Sequence, residues 1–224
     1  MNQDLTTRDM RQRAIIPPDR LAACRVTIIG VGAVGRQVAL QLAAMGVPQL
    51  HLIDHDTVEA VNLASQAYLE EDLGALKVEA TARSCRKLNS RIEIETIPRR
   101  FGCSMDVNSV VITCVDSIDT RRFIWQAVRE RVQLYLDGRM SAETLRVLAV
   151  ADEASRSHYP TTLFAAGEAH TGPCTARSTV YCGSIAAGYV VAQFAKWLRR
   201  MPIDHDLMVN LLASEITVGA GVAA

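Results

Sequence analysis

The chain has 224 residues, with 24 Lys plus Arg against 24 Asp plus Glu, so its formal net charge is zero. It therefore lacks the positive field that holds DNA or RNA by counterion release, and any nucleotide must be held by a locally built site. Hydrophobic residues at 49% and charged residues at 21% describe a folded globular chain, and the length suits one α/β domain better than two.

In chain order, an amino-terminal arm (1–24) leads into an apolar run at 25–29 that reads as a strand. A glycine loop follows, then a helical pattern through Val38, Leu42 and Met45 that stops at Gly46. Residues 50–53 form a second strand ending at Asp54, and 73–88 read as a helix with Leu76, Ala80 and Leu88 on its apolar side. Ile92, Ile94 and Ile97 begin a third strand of alternating faces. Residues 110–115 form a fourth strand without alternation, hence buried on both faces. A helix at 120–132, a short fifth strand at 134–136 and a more exposed strand at 145–150 come next. Residues 152–177 lack periodicity and read as a crossover loop, a length that usually implies a function. The uncharged stretch 178–195 approaches the lower limit of a membrane span, but its hydroxyls, Gln193, Gly183 and Gly188 favour a helix buried in the protein, and no membrane association is expected. Residues 207–218 supply one or two closing strands.

Strands that alternate with helices need right-handed crossovers. The expected fold is thus α/β and Rossmann-like: a mainly parallel sheet with helices on both faces and an added antiparallel carboxyl-terminal part, in one domain. Ligands of such sheets lie beyond the carboxyl ends of the strands.

Gly30, Gly32 and Gly35 form Gly-x-Gly-x-x-Gly between the first strand and its helix. Lack of a Cβ there permits a tight turn and close approach of a phosphate to the backbone and the positive helix end. Asp54, 19 residues after Gly35 at the end of the next strand, is placed to accept hydrogen bonds from ribose hydroxyls. Loop and acid together indicate a nucleotide without separating NAD from ATP.

The residues that follow do separate them. The run Asp54-His-Asp56-Thr-Val58-Glu59-Ala-Val-Asn62-Leu63-Ala-Ser65-Gln66, then Gly74-Ala-Leu-Lys77, then Cys114-Val-Asp116-Ser-Ile-Asp-Thr-Arg121, resembles the ubiquitin-activating-enzyme superfamily in its ThiF/MoeB/HesA branch. The resemblance implies binding of MgATP and adenylation of the carboxyl-terminal glycine of a small ubiquitin-like or sulfur-carrier protein, with a conjugating enzyme as a further partner in some members. It assigns Mg²⁺ to Asp116, phosphate and adenosine contacts to Asn62, Gln66, Lys77 and Arg121, and nucleotide contacts to Asp54 and Asp56. Arg8-Asp-Met-Arg11-Gln12 is similar to the family's amino-terminal Arg-Tyr-x-Arg-Gln, whose second Arg crosses a homodimer to the partner's ATP; Arg11 inherits that role.

The chemistry accounts for the same residue types. A terminal carboxylate, with a pKa of about 3.5, is already ionised, so its attack on the α-phosphorus needs charge neutralisation and no general base. Fixed cations and a divalent ion held by an acid serve that need, and Arg11, Lys77, Arg121 and Asp116 are the groups available. The bland alternatives are that Asp116 caps the helix beginning near Ser117, that Lys77 is solvated on a helix face, and that Asn62 and Gln66 cap a loop.

Two departures stand out. Ser65 occupies the place of the family's Arg in Asn-Leu-x-Arg-Gln, and Ser117 that of an Asn. Loss of a charge-assisted hydrogen bond worth about 1.5–3 kcal/mol would weaken affinity or rate roughly ten- to a hundred-fold. A binding module without turnover is therefore one rival reading. An NAD-dependent oxidoreductase is the other, and it leaves Lys77, Asp116 and the 62–66 run without a task.

Gly172-Pro173-Cys174-Thr175 falls where the family carries its acceptor cysteine, so Cys174 is the candidate nucleophile for a thioester, with burial in a helix-entry turn as the alternative. The chain has six cysteines and no Cys-x-x-Cys pair, so the family's structural zinc is not expected. His170, near Cys174, reads as a solvated loop residue, and His51 and His55 as locally hydrogen-bonded. Arg139 either guides an incoming chain terminus or pairs with Asp137 or Glu143. With no secretory leader in the sequence, a cytoplasmic location with reduced thiols is expected.

Overall fold

The structure, a computed structural model, describes residues 7–164 and 178–219. The arm carries a short helix, α1 (Pro18–Ala22), and leads into β1 (Arg25–Ile29), which is buried from Val26 onward because apolar residues occupy both of its faces. The glycine loop turns the chain into α2 (Ala33–Met45), which Gly46 ends in a left-handed conformation at φ 104°. β2 (Gln49–Ile53), α3 (Ala60–Gln66), α4 (Lys77–Leu88), β3 (Glu93–Ile97), β4 (Val110–Thr113), α5 (Ile118–Val128) and β5 (Leu134–Ser141) follow. β6 (Thr144–Val150), α6 (Glu153–His158), α7 (Val180–Leu198), β7 (Asp206–Asn210) and β8 (Glu215–Val218) complete the chain.

All eight strands join one sheet in the order β3-β2-β1-β4-β5-β6-β7-β8. Pairs from β3 to β5 are parallel, and those from β5 to β8 antiparallel. The expected fold class is therefore what the chain adopts. The strand order reverses between β1 and β4, so their carboxyl ends open the crevice where ligands of such sheets bind. One core lies under α2, α4 and α7; a second, around Trp125, Tyr135 and Tyr159, lies on the other face.

Several local expectations differ from the structure. The strand expected to be more exposed at 145–150 is internal: β6 lies between β5 and β7, with Leu145, Val147, Leu148 and Ala149 fully buried. β5 continues through Asp137-Gly138-Arg139 to Ser141, because its antiparallel pairing with β6 extends the ladder. The expected helix from 73 begins at Lys77, since a 3₁₀ turn at Glu70–Asp72 and the Thr57–Leu76 bridge occupy the residues before it. Residues 152–164 are not aperiodic: Asp152 caps α6 by accepting from Ser155 N–H, and a 3₁₀ turn at Tyr159–Thr162 follows. Residues 165–177 fall outside the described part.

The arm docks on the end of α2 remote from the glycine loop. Arg8 donates to the carbonyls of Ala43 and Ala44, and Gln12 to that of Met45, which satisfies orphan acceptors of the last turn. The stretch that approached a membrane span in composition is α7, and among the described residues no helix is long and apolar enough to cross a membrane. α7 packs on α2 so closely that a Cβ on Gly183 would lie 2.6 Å from the Ala33 carbonyl oxygen. Gly183→Ala is therefore expected to destabilise the fold by about 1–3 kcal/mol. Urea unfolding reads the change; an unaltered midpoint would contradict this packing.

Candidate functional site

The turn from β1 into α2 is built by close backbone contacts. Gly30 has φ 87°, and a Cβ on it would stand 2.8 Å from the Cys114 carbonyl oxygen. A Cβ on Gly35 would overlap the Gly30 carbonyl oxygen at 1.8 Å, so the first turn of α2 can lie on the loop only without a side chain there. At Gly32 the nearest atom to the missing Cβ is Gln66 Oε1 at 3.8 Å, which leaves room for a ligand over the helix end. The first intrahelical bond runs from Arg36 N–H to Gly32 O, so the N–H groups of residues 32–35 have no partner within the helix and are available to an anion. Gln66 Oε1 is buried with no hydrogen-bond partner among the described residues.

Asp54 ends β2 beside this loop. One carboxylate oxygen accepts from Val31 N–H at 2.8 Å and the other from Asp56 N–H at 2.9 Å, so loop and acid hold each other. Lys77, the first residue of α4, is 7% exposed; its Nζ lies 3.1 Å from Asp56 Oδ2 and its N–H donates to the Asp56 carbonyl. That disposes of the solvated-lysine alternative. His55, Asp56, Thr57, Glu59, Asn62 and Lys77 line a cavity of about 400 Å³. His55 Nε2 lies 3.3 Å from Asp56 and His51 Nε2 3.2 Å from Glu95 on the neighbouring strand; the local hydrogen bonding expected of both is not formed among the described residues.

Asn62 shares a capping box with Glu59 at the start of α3, accepting from Glu59 N–H at 2.9 Å. Its side-chain carbonyl is used there, as the capping alternative requires, and its amide NH₂ has no partner among the described residues. Ser65 directs its hydroxyl back to the Val61 carbonyl at 2.9 Å. Arg36 does not fill the gap left by Ser65: it is buried over the Tyr68 ring at 4.3 Å and donates to Ala67 O.

Asp116 follows β4 across the crevice. It is exposed, and among the described residues it makes no hydrogen bond or ion pair. The cap of α5 is Ser117, which accepts from Thr120 N–H, so Asp116 is not the helix cap. A free carboxylate beside a phosphate-type loop is the hard-oxygen donor that Mg²⁺ takes together with phosphate and water, so the residues fit that ion.

Arg121 departs from its expected place among the phosphate contacts. It is 5% exposed and donates to Asp137, to the Val115 carbonyl and, at 3.4 Å, to the Gly138 carbonyl. Burial and the neighbouring Arg139 charge pull its guanidinium down to about 10. Asp137, fully buried, also accepts from Arg139 Nε at 2.8 Å and from the Tyr159 hydroxyl at 2.8 Å. Arg139 donates further to the Thr162 carbonyl at 2.8 Å, so of its two readings the pairing with Asp137 is the one formed. An acid inside an apolar strand was the sequence signal for this network; its second partner, 16 residues away on the preceding helix, had none.

Arg11 is exposed on an arm docked at the far end of α2, about 20 Å from the glycine loop for a 13-residue helix. It therefore does not reach the loop of its own chain. Cys174, Gly172, Pro173 and His170 lie outside the described residues. Burial pushes the Cys85 and Cys114 thiols up to about 12 and raises Cys24, while Cys103 is exposed.

A doubly wound α/β sheet with a phosphate-type turn at its switch point, an acid after the second strand and a buried lysine beyond it is the arrangement in which α/β folds hold nucleotides. A sequence model of the ThiF family matches residues 7–213, and the chain belongs to that family, as its motifs implied. It is 38% identical over 111 residues to the mouse (Mus musculus) adenylyltransferase and sulfurtransferase MOCS3, covering 47% of this chain and 24% of that protein. With the SAMP-activating enzyme E1 of Haloferax volcanii it shares 31% identity over 134 residues, 54% of this chain and 50% of the other. The chain thus spans about a quarter to a half of the curated relatives it matches. In fold it is similar to E. coli MccB solved with succinimide, at TM-score 0.78 and 18% identity, covering all of this chain and 73% of that one.

Thiols held near 12 are about one part in ten thousand thiolate at pH 8. Iodoacetamide on the native protein at that pH is expected to alkylate Cys103 well before Cys24, Cys85 and Cys114. Peptide mass spectrometry checks this, and equal rates at Cys114 and Cys103 would contradict it.

Proposed function

We propose that the chain is an ATP-dependent adenylyltransferase that activates the terminal carboxylate of a ubiquitin-like or sulfur-carrier protein ending in glycine. The observation that carries this reading is the pair of charges on either side of the glycine loop: a buried Lys77 on the β2 side and, on the β4 side, an exposed Asp116 with no partner among the described residues. An NAD-dependent oxidoreductase needs neither. Family membership and the names of the relatives support the same reading.

In this reading the triphosphate lies over residues 32–35, and Asp54 and Gln66 hold the adenosine side. The phosphates draw Lys77 from Asp56, while Asn62, through its amide NH₂, and Ser65 complete the polar wall. Asp116 would hold Mg²⁺, which would supply positive charge to neutralise the phosphates. The acceptor carboxylate then attacks the α-phosphorus; its oxygen forms the new P–O bond as the bond to the bridging oxygen breaks, and pyrophosphate leaves with that electron pair. The product is an acyl adenylate. Where Cys174 acts, its thiolate attacks the acyl carbon and AMP departs, leaving a thioester for a conjugating enzyme to receive.

Arg11 supplies its charge across a homodimer, since within one chain the arm is anchored at the wrong end of α2. A cytoplasmic location and the absence of structural zinc complete the reading. The loss of a phosphate contact at Ser65 favours weaker nucleotide binding over loss of turnover, because Lys77 and Asp116 are both retained.

Lys77→Ala and Asp116→Ala are each expected to lower acceptor-dependent ATP–pyrophosphate exchange at least a hundred-fold; undiminished exchange would refute their roles. Mixing Arg11→Ala chains with Lys77→Ala chains is expected to restore about a quarter to a half of wild-type exchange, through dimers with one intact site. No recovery on mixing would contradict action in trans.

A further inference from the structure

β4 and β5 are paired in parallel only as far as Thr113 and Asp137. Beyond that pair the two strands have no ladder bond, yet the chain leaving β4 must present Asp116 to the crevice within three residues. The gap is spanned by a side chain. Arg121, one turn into α5, reaches back to donate to the Val115 carbonyl, just past the end of β4, and to Asp137 and the Gly138 carbonyl on β5. A planar guanidinium with donors on several edges can meet two strands at once, whereas an ammonium is a single point charge.

The arrangement fixes Asp116 from both sides. The Val115 carbonyl, one peptide before it, is turned inward onto the guanidinium, and Ser117, one residue after it, caps α5 through Thr120 N–H. The Arg121 N–H also donates to the Ser117 carbonyl at 3.1 Å. Asp137 in turn is held by Tyr159 and Arg139, so the anchor is buried and cannot swing. A fully buried carboxylate between two arginines is a costly means of holding strands together, and apolar residues of similar volume would commonly serve stability as well. Its geometry is explained by what it orients.

We propose that Arg121, seated on Asp137, is a positioning residue that locks the Val115–Asp116 peptide and so aims the Asp116 carboxylate at the divalent ion of the nucleotide complex. The inference rests on the reading of Asp116 as the metal residue. It assigns Arg121 no contact with the nucleotide.

The test is Mn²⁺ binding, read by electron paramagnetic resonance in the presence of α,β-methylene-ATP, beside nucleotide affinity measured in EDTA. Arg121→Lys keeps the charge but loses the fork; it is expected to weaken Mn²⁺ binding about ten-fold while metal-free nucleotide affinity stays within about two-fold. Asp137→Asn, which keeps Arg121 and loosens its seat, is expected to show the same selective loss in smaller degree, and stands in where the Arg121 variant does not fold. Added methylguanidinium is expected to restore Mn²⁺ affinity to Arg121→Ala. If Arg121→Lys or Asp137→Asn changes metal and metal-free affinities in equal proportion, or changes neither, the positioning role is overturned. Asp116→Asn separates the two claims: unchanged Mn²⁺ affinity in that variant overturns the metal reading itself. Loss there, with full affinity in Arg121→Lys, overturns the positioning role alone.

Discussion

The turn between β1 and α2 has room for hydrogen atoms where other residues carry a Cβ, and the rest of the molecule is arranged around that fact. Gly35 rests on the Gly30 carbonyl, Gly30 on that of Cys114, and Gly183 of α7 on that of Ala33. Three segments far apart in sequence are thereby drawn against one loop. The result is a helix end whose N–H groups face a crevice, with β2 and β4 delivering side chains from either flank. A methyl group at Gly35 would push α2 off the loop and remove the anion site along with the close packing. Fold and site therefore share one steric condition.

Charge is distributed about this turn by the same economy. Lys77 is buried with Asp56 as its partner, and Asp54 is held by two backbone N–H groups, so both are oriented before any ligand arrives. Asp116 has no partner among the described residues, yet its flanking peptide groups are tied by Arg121 and Ser117. The buried arginine that the family resemblance would send to a phosphate donates to the backbone carbonyl beside the neighbouring acid. Arg36 behaves alike, covered by Tyr68 beside Gln66 and α3. Two cations close to the crevice in sequence are thus committed to scaffold, while exposed Arg11 lies on an arm docked at the opposite end of α2.

Much of this was legible in the sequence, for physical reasons that can be named. β1, β4 and the glycine turn were readable because burial on both faces writes a continuous apolar run and close approach writes glycine. Asp54 was readable because the βαβ unit fixes its distance from the loop. What escaped reading depended on partners distant in sequence. β6 looks half-polar through Thr144 and Arg146, but it lies inside the sheet because β7 returns to cover it, with Arg146 paired to Asp206 at 2.6–2.8 Å. The short helices α3 and α6 are too brief to show a period, although the Asp152–Ser155 spacing of a capping box was present. The seat of Arg121 depends on Asp137 in an adjacent strand, which no local pattern reveals.

The central claim is that the turn after β1, Lys77 and Asp116 together hold the polyphosphate of ATP. A crystal structure with α,β-methylene-ATP and Mg²⁺ tests it most directly. Phosphate oxygens are expected within hydrogen-bonding distance of the N–H groups of residues 32–35, with Lys77 turned from Asp56 toward them and the ion on Asp116. Phosphates directed into solvent, with Lys77 still on Asp56 and Asp116 without the ion, would contradict it.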